Sequence, residues 1–170
     1  MSRFNKSLAG FALSAFALSA QAAEPGAWQQ HDIQFQYLGF TSIYSCDGLA
    51  DRLKELLVMA GARADAKTRG AGCTVMTGPD HMAGARLQFS TVAGDPKAEA
   101  PAGTVWRKVR FANNALRDLQ SGDCELMEQF RDEVVKKAFT TRNLKSRTTC
   151  FPHQANQRFD IEFEVLVPAK

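Results

Sequence analysis

Between residues 33 and 37 apolar and polar side chains alternate, Ile33-Gln34-Phe35-Gln36-Tyr37, which is the period of a strand with one dry face. The period then changes. Leu49, Leu53, Leu56, Leu57 and Ala60 recur at intervals of three and four, with Asp47 placed to cap the start and Gly61 to close the end, so an amphipathic helix is predicted. A strand ending around Cys73 to Met76 is expected next, then a turn at Gly78-Pro79-Asp80 and a strand over 86–92. The order is β-α-β-β.

Gly94, Pro96, Pro101 and Gly103 mark 93–103 as a connection, after which the order restarts. A strand is expected over 105–111. Ser121 or Asp123 can cap a helix that buries Leu126, Met127, Phe130, Val134 and Ala138. A shorter strand over about 143–150 follows, and 159–167 alternates most clearly. Phe159, Ile161, Phe163, Val165 and Val167 share one face there, and Asp160, Glu162 and Glu164 the other. The pattern predicts an α+β fold of two pseudo-repeats, about 31–93 and 104–168, whose two helices cover one side of an antiparallel or mixed sheet of up to eight strands. On the wet face, Lys108 and Arg110 would pair with Asp160, Glu162 and Glu164 if their strands are neighbours.

The four cysteines fit the same repeat, with Cys46 and Cys124 at the helix starts and Cys73 and Cys150 near the ends of the strands that follow. If the strands flanking each helix are parallel neighbours, their carboxyl ends lie at one sheet edge. Of the three pairings open to four cysteines, Cys46–Cys73 and Cys124–Cys150 are then expected. Each loop closed in this way adds about 3–4 kcal/mol in the chain-entropy model.

Ahead of this domain the chain has the three parts of an export signal: Arg3 and Lys6, an apolar run over 8–18, and the small-residue site Ala20-Gln21-Ala22. Residues 1–22 are therefore expected to be removed, leaving 23–170 as one disulfide-stabilised domain in the periplasm. The apolar run is shorter than the roughly 18–20 residues of a membrane span, and no transmembrane segment is expected in the mature chain. The formal net charge of +3 includes both leader cations. Without them the chain is almost neutral, which removes the support that a basic pI lends to nucleic-acid binding. The hydrophobic fraction of 45% is ample for a core.

Tyr44-Ser45-Cys46-Asp47-Gly48-Leu49, Gly122-Asp123-Cys124-Glu125-Leu126 and Cys150-Phe151-Pro152-His153-Gln154 resemble a pattern in uncharacterised exported proteins of proteobacteria. That resemblance covers most of the mature chain and implies the four-cysteine framework. It implies no activity, cofactor or site.

No catalytic residue is evident. Neither a Gly-x-Ser-x-Gly elbow nor a His-Glu-x-x-His motif occurs, so a hydrolase would need carboxylates assembled in space. The run from Val134 to Phe159 has six basic residues and no acid, and Lys136, Lys137, Arg142, Lys145 and Arg147 are the candidate binding residues for an anionic glycan, lipid headgroup or protein partner. Met76, His81 and Met82, with His31 or His153 to complete the set, are an alternative Cu(I) site. Arg69-Gly70-Ala71-Gly72-Cys73 lacks the remaining features of a phosphate loop and reads as an approach to the cystine. Cys150-Phe151-Pro152-His153 reads as a cystine followed by a proline turn. The expectation is a non-catalytic, cofactor-free binding or accessory protein.

Overall fold

The computed structural model describes residues 26–73, 79, 81–113, 119, 121–154 and 157–170. The leader, Met76 and most of the turn at 78–80 lie outside the described residues. Strand β1 (Trp28–Leu38) is followed by helix α1 (Cys46–Ala60), β2 (Lys67–Gly70) and β3 (Met82–Val92). The second half repeats the order with β4 (Thr104–Ala112), α2 (Cys124–Phe130), β5 (Thr141–Thr149) and β6 (Arg158–Pro168). A wide π turn, Arg131–Val135, and a last helical turn, α3 (Lys136–Ala138), carry α2 onward to β5.

Each half is thus β-α-β-β, and its last strand inserts between the other two. The sheet orders are β1-β3-β2 and β4-β6-β5, with every pairing antiparallel. The described strands form two three-stranded sheets rather than one larger sheet. β1 and β2 do run parallel, as the crossover rule requires, but β3 separates them, so the strands flanking a helix are not neighbours. The expected cystines form nonetheless, because both flanking strands still end on the same side of the sheet. Cα atoms are 6.2 Å apart in Cys46–Cys73 and 5.5 Å apart in Cys124–Cys150, over sequence separations of 27 and 26.

Local chemistry departs from expectation at the helix starts. Ser45 caps α1, its hydroxyl accepting from Gly48 N–H at 3.0 Å, while Asp47 sits in the first turn. Asp123 occupies the cap position of α2, yet its side chain makes no cap bond. Its carboxylate accepts from the Tyr44 hydroxyl at 2.5 Å and from Arg52 at 3.0 Å, both in the first half. Gly61 ends α1 as expected, at φ 114°. A side chain there would also crowd Val167 of β6, whose Cγ1 lies 3.0 Å from the position a Cβ would take. β2 stops at Gly70, short of Cys73, because the chain must pass close to the start of α1, where a Cβ on residue 70 would lie 2.8 Å from Cys46 Cβ.

The two halves share one apolar core. Leu49, Leu53, Leu56 and Leu57 of α1, Phe35 and Tyr37 of β1, and Leu87 of β3 belong to the same buried cluster as Leu126, Met127, Phe130, Phe111 and Phe163. Phe111 meets Phe130 edge-on at 6.2 Å, and Phe89 stacks on Phe139 at 5.7 Å across the halves. Polar clasps fix the contact. Glu125, 8% exposed, accepts from Phe40 N–H at 2.9 Å, Thr41 N–H at 3.0 Å and the Tyr37 hydroxyl at 3.4 Å. Burial, reinforced by these carboxylates, pushes both tyrosine hydroxyls far above their ordinary pKa and keeps them as donors.

Two outcomes follow from this packing. Glu125→Ala strands two backbone donors, the Tyr37 hydroxyl keeping Ser42 O at 3.0 Å, so urea denaturation should show a loss of about 2–4 kcal/mol. His31 sits against Phe89, and its Nε2 lies 2.8 Å from Thr91 Oγ1. Burial lowers its pKa below 6.5. The unfolded chain then takes up the proton first, so stability held above that value is lost as pH falls through it. The unfolding midpoint of wild type should fall more steeply than that of His31→Gln between about pH 7 and 5.

Candidate functional site

β6 lies between β4 and β5, and its alternation buries Phe159, Ile161 and Phe163 while turning Arg158, Asp160, Glu162 and Glu164 to the wet face. β4 sets Lys108 and Arg110 along one side of that row, and β5 sets Arg142, Lys145 and Arg147 along the other. Opposite charges meet across the strands. Lys108 Nζ is 3.1 Å from Glu162, Arg110 clasps Asp160 at 2.8 and 3.0 Å, and Arg142 Nε is 2.5 Å from Glu164. Arg142 also covers the Trp106 ring at 4.3 Å. Hydrogen bonding from Arg142 holds the Glu164 carboxyl below the usual carboxylate range, and Arg110, joined by the charge of Arg147, does the same for Asp160. Exposed pairs of this kind stabilise little individually. Their effect is to neutralise the middle of the face.

At the Arg158 end the balance shifts. A cleft of about 770 Å³ opens there, with Arg110, Arg147 and Arg158 on its walls and Asp160 as the one acid among its described lining residues. Register makes this cluster, since Arg147 lies opposite Asp160 and Thr149 opposite Arg158. Gln157, 2% exposed, lines the same cleft. Its Nε2 donates at 2.7 Å to both Thr41 Oγ1 and Phe151 O, and its Oε1 has no partner among the described residues. Asn113 steadies the wall by accepting from Phe159 N–H at 2.6 Å and donating to Gln157 O at 2.9 Å.

The five basic residues read from the sequence do not form one patch. Arg147 lines the cleft; Lys145 lies further along β5, opposite Glu162, and Arg142 beyond it is engaged by Glu164. Lys136 and Lys137 sit on the helix, each paired one turn back, with Asp132 at 2.6 Å and with Glu133. Arg131, with Lys136, holds the Asp132 carboxyl well below its usual range. Arg110 and Arg158 were missed as site residues. Arg158 closes the acid-free run, but only strand register puts Arg110 beside it.

The other candidates resolve differently. His81 Nδ1 lies 2.8 Å from Gly39 O, and Met82 is exposed next to it. His31 is seven residues along β1 from Leu38, the partner of Met82, hence roughly 23 Å from that end of the sheet. Among the described residues no group of three or more His, Cys, Asp or Glu side chains is placed to hold a metal. His153, at φ 63°, forms the turn after Pro152 and meets Phe40 edge-on at 5.9 Å. A second depression of about 630 Å³ is lined by Tyr44, Asp51, Arg52, Glu55 and Asp123. Its Asp123 is taken by Tyr44 and Arg52, and Arg52 also bonds Glu55 at 3.2 Å. Each carboxylate whose pKa is displaced among the described residues is displaced downward, opposite to the requirement of a general acid. No described helix is long and apolar enough to cross a membrane.

Comparison with family models, with curated proteins and with solved structures finds no match to this chain. The cleft's electrostatics make their own prediction. Asp160→Asn releases Arg110 and Arg147 from their shared counter-charge, so inorganic sulfate should bind more tightly, by roughly threefold to tenfold at low salt, in calorimetric titration. Because the pair is exposed, the same variant should lose no more than about 1 kcal/mol in urea denaturation.

Proposed function

We propose that this chain is a non-catalytic binding or accessory protein of the periplasm that holds an acidic glycan in the arginine-lined cleft at the end of its second sheet. The observation that carries the reading is the convergence of Arg110, Arg147 and Arg158 around Asp160, the one acid among the described lining residues. Arginine presents paired donors in a plane, which suits a carboxylate or sulfate substituent. Among the described residues, Arg147 and Arg158 have no ion-pair partner within bonding distance. The rest of the lining adds polar side chains beside the arginines. Thr149 lines the cleft with a hydroxyl that donates to Arg158 O at 3.3 Å and keeps lone pairs for a sugar hydroxyl, while Thr148 Oγ1 is held by Glu128. A volume of about 770 Å³ accommodates one or two sugar rings. The leader-like residues 1–22 and the two cystines support export to an oxidising compartment.

Retention on an immobilised acidic polysaccharide tests the reading, with anionic phospholipid vesicles as a second arm. Wild type should be retained at low salt and released as salt rises. Arg147→Glu/Arg158→Glu should weaken retention by roughly tenfold or more, while Lys136→Glu/Lys137→Glu should leave it near wild type. Absence of retention by wild type, or equal loss in both double variants, overturns the cleft assignment. Binding confined to the vesicles replaces the glycan with a lipid headgroup.

A further inference from the structure

β1 leaves one edge of the first sheet open, and that edge is built unlike the others. Its odd-numbered residues bond to β3 and the chain beside it, Ala93 N–H donating to Ala27 O at 2.9 Å and Gly39 N–H to His81 O at 3.0 Å. Antiparallel strands alternate, so Gln30, Asp32, Gln34, Gln36 and Leu38 turn both backbone groups away from β3. At Leu38 these groups are taken by a side chain that imitates a strand. The Gln129 amide accepts from Leu38 N–H at 3.0 Å and donates to Leu38 O at 2.8 Å. From Gln30 to Gln36 no bond from a described residue reaches the outward groups, and the four side chains are exposed.

Other edges carry the usual protection against pairing. β2 has four residues, including Lys67 and Arg69. β4 carries Arg107, Lys108 and Arg110. β5 carries Arg142, Lys145 and Arg147 and is broken by a bulge between the first two. β1 instead runs eleven residues in unbroken register, with no lysine, arginine or proline. Its one carboxylate, Asp32, is already clasped by Arg86 at 2.8 and 2.6 Å and by Gln88 at 3.1 Å.

We propose that this edge pairs with the same edge of a second copy, β1 against β1 and antiparallel, so that two three-stranded sheets become one six-stranded sheet about a two-fold axis. One register pairs all four of the edge's outward residues with one another. With the axis at Ile33, Gln30 lies opposite Gln36 and Asp32 opposite Gln34, so amide meets amide and carboxylate meets amide. Every outward backbone group from residue 30 to 36 then finds a partner, and the Gln129 plug at Leu38 ends the ladder. With the axis at Asp32, two carboxylates would oppose each other, which disfavours that register. Glu133 and Lys137, further along the helical segment that carries Gln129, pair with each other. The occupant is therefore a second copy. This inference does not depend on the glycan reading, since the cleft lies on the other sheet.

Sedimentation equilibrium of the full mature chain tests it. Wild type should dimerise at concentrations of about 100 μM or below. Gln34→Pro removes an outward N–H that the monomer does not use, so it should weaken dimerisation at least roughly tenfold with an unchanged circular dichroism spectrum. Gln30→Lys/Gln36→Lys, which sets like charges opposite each other, should do the same and covers the case in which the proline variant fails to fold. Ile33→Cys should form an interchain disulfide on mild oxidation and Asp32→Cys should not, because Cα atoms opposite each other at the axis lie about 4.5 Å apart. A wild type that stays monomeric to about 100 μM, or a dimer untouched by either edge variant, overturns the proposal. So does a strand pairing found only with an unrelated extended peptide.

Discussion

Neither half of this protein can cover its own sheet. Three strands and one helix leave apolar surface that only a second layer removes from water, and each half is the other's second layer. Glu125 makes that arrangement specific. A carboxylate placed among Leu126, Met127 and the aromatic residues of β1 costs several kcal/mol unless it is fully hydrogen-bonded, and the donors that meet it come from the loop after β1. Apolar contact alone would let the halves slide. The requirement to satisfy one buried charge allows a single seating, and Asp123 with Tyr44 and Arg52 repeats the constraint a few ångströms away.

Once the halves are seated, the outer faces are free to specialise. The first sheet shows water the amides of β1, Asp32 and Arg86 holding each other, and Lys67 and Arg69 of β2. The second shows charge in rows, with three acids in the centre and five bases on the flanks; Lys108, Arg110 and Arg142 are ion-paired, and the excess, Lys145 and Arg147, is joined by Arg158 where β6 begins. The convergence of Arg147 and Arg158 on Arg110 at one end of that ladder is a local feature of register. It owes little to overall composition, which is near neutral.

Much of the fold was legible because periodicity is local. The alternation from Phe159 to Val167 and the three- and four-residue spacing from Leu49 to Ala60 both report which side of a single element is dry, and both faces were read correctly. Insertion of β3 between β1 and β2 was not legible, because strand order depends on contacts between distant segments that leave no local period. Helix caps failed for a related reason. Asp47 and Asp123 have the right chemistry, but Ser45 has the better position for one cap, and Tyr44 and Arg52 outcompete backbone amides for the other carboxylate. The candidate site was half legible. Arg147 and Arg158 sit in a visibly basic run, whereas the helical Lys136 and Lys137 fall in the same run and point elsewhere, already paired with acids one turn behind them.

Each cystine joins a helix start to the chain just after the next strand, entirely within one half. The two wrong pairings both require cysteines from opposite halves to meet. A chain that emerges amino terminus first presents Cys46 and Cys73 to an oxidant while the rest of its sequence is still to come. Cross-linking can then be settled half by half, ahead of the shared core. The order of the cysteines along the chain is itself a safeguard against scrambling, independent of how the finished molecule is packed.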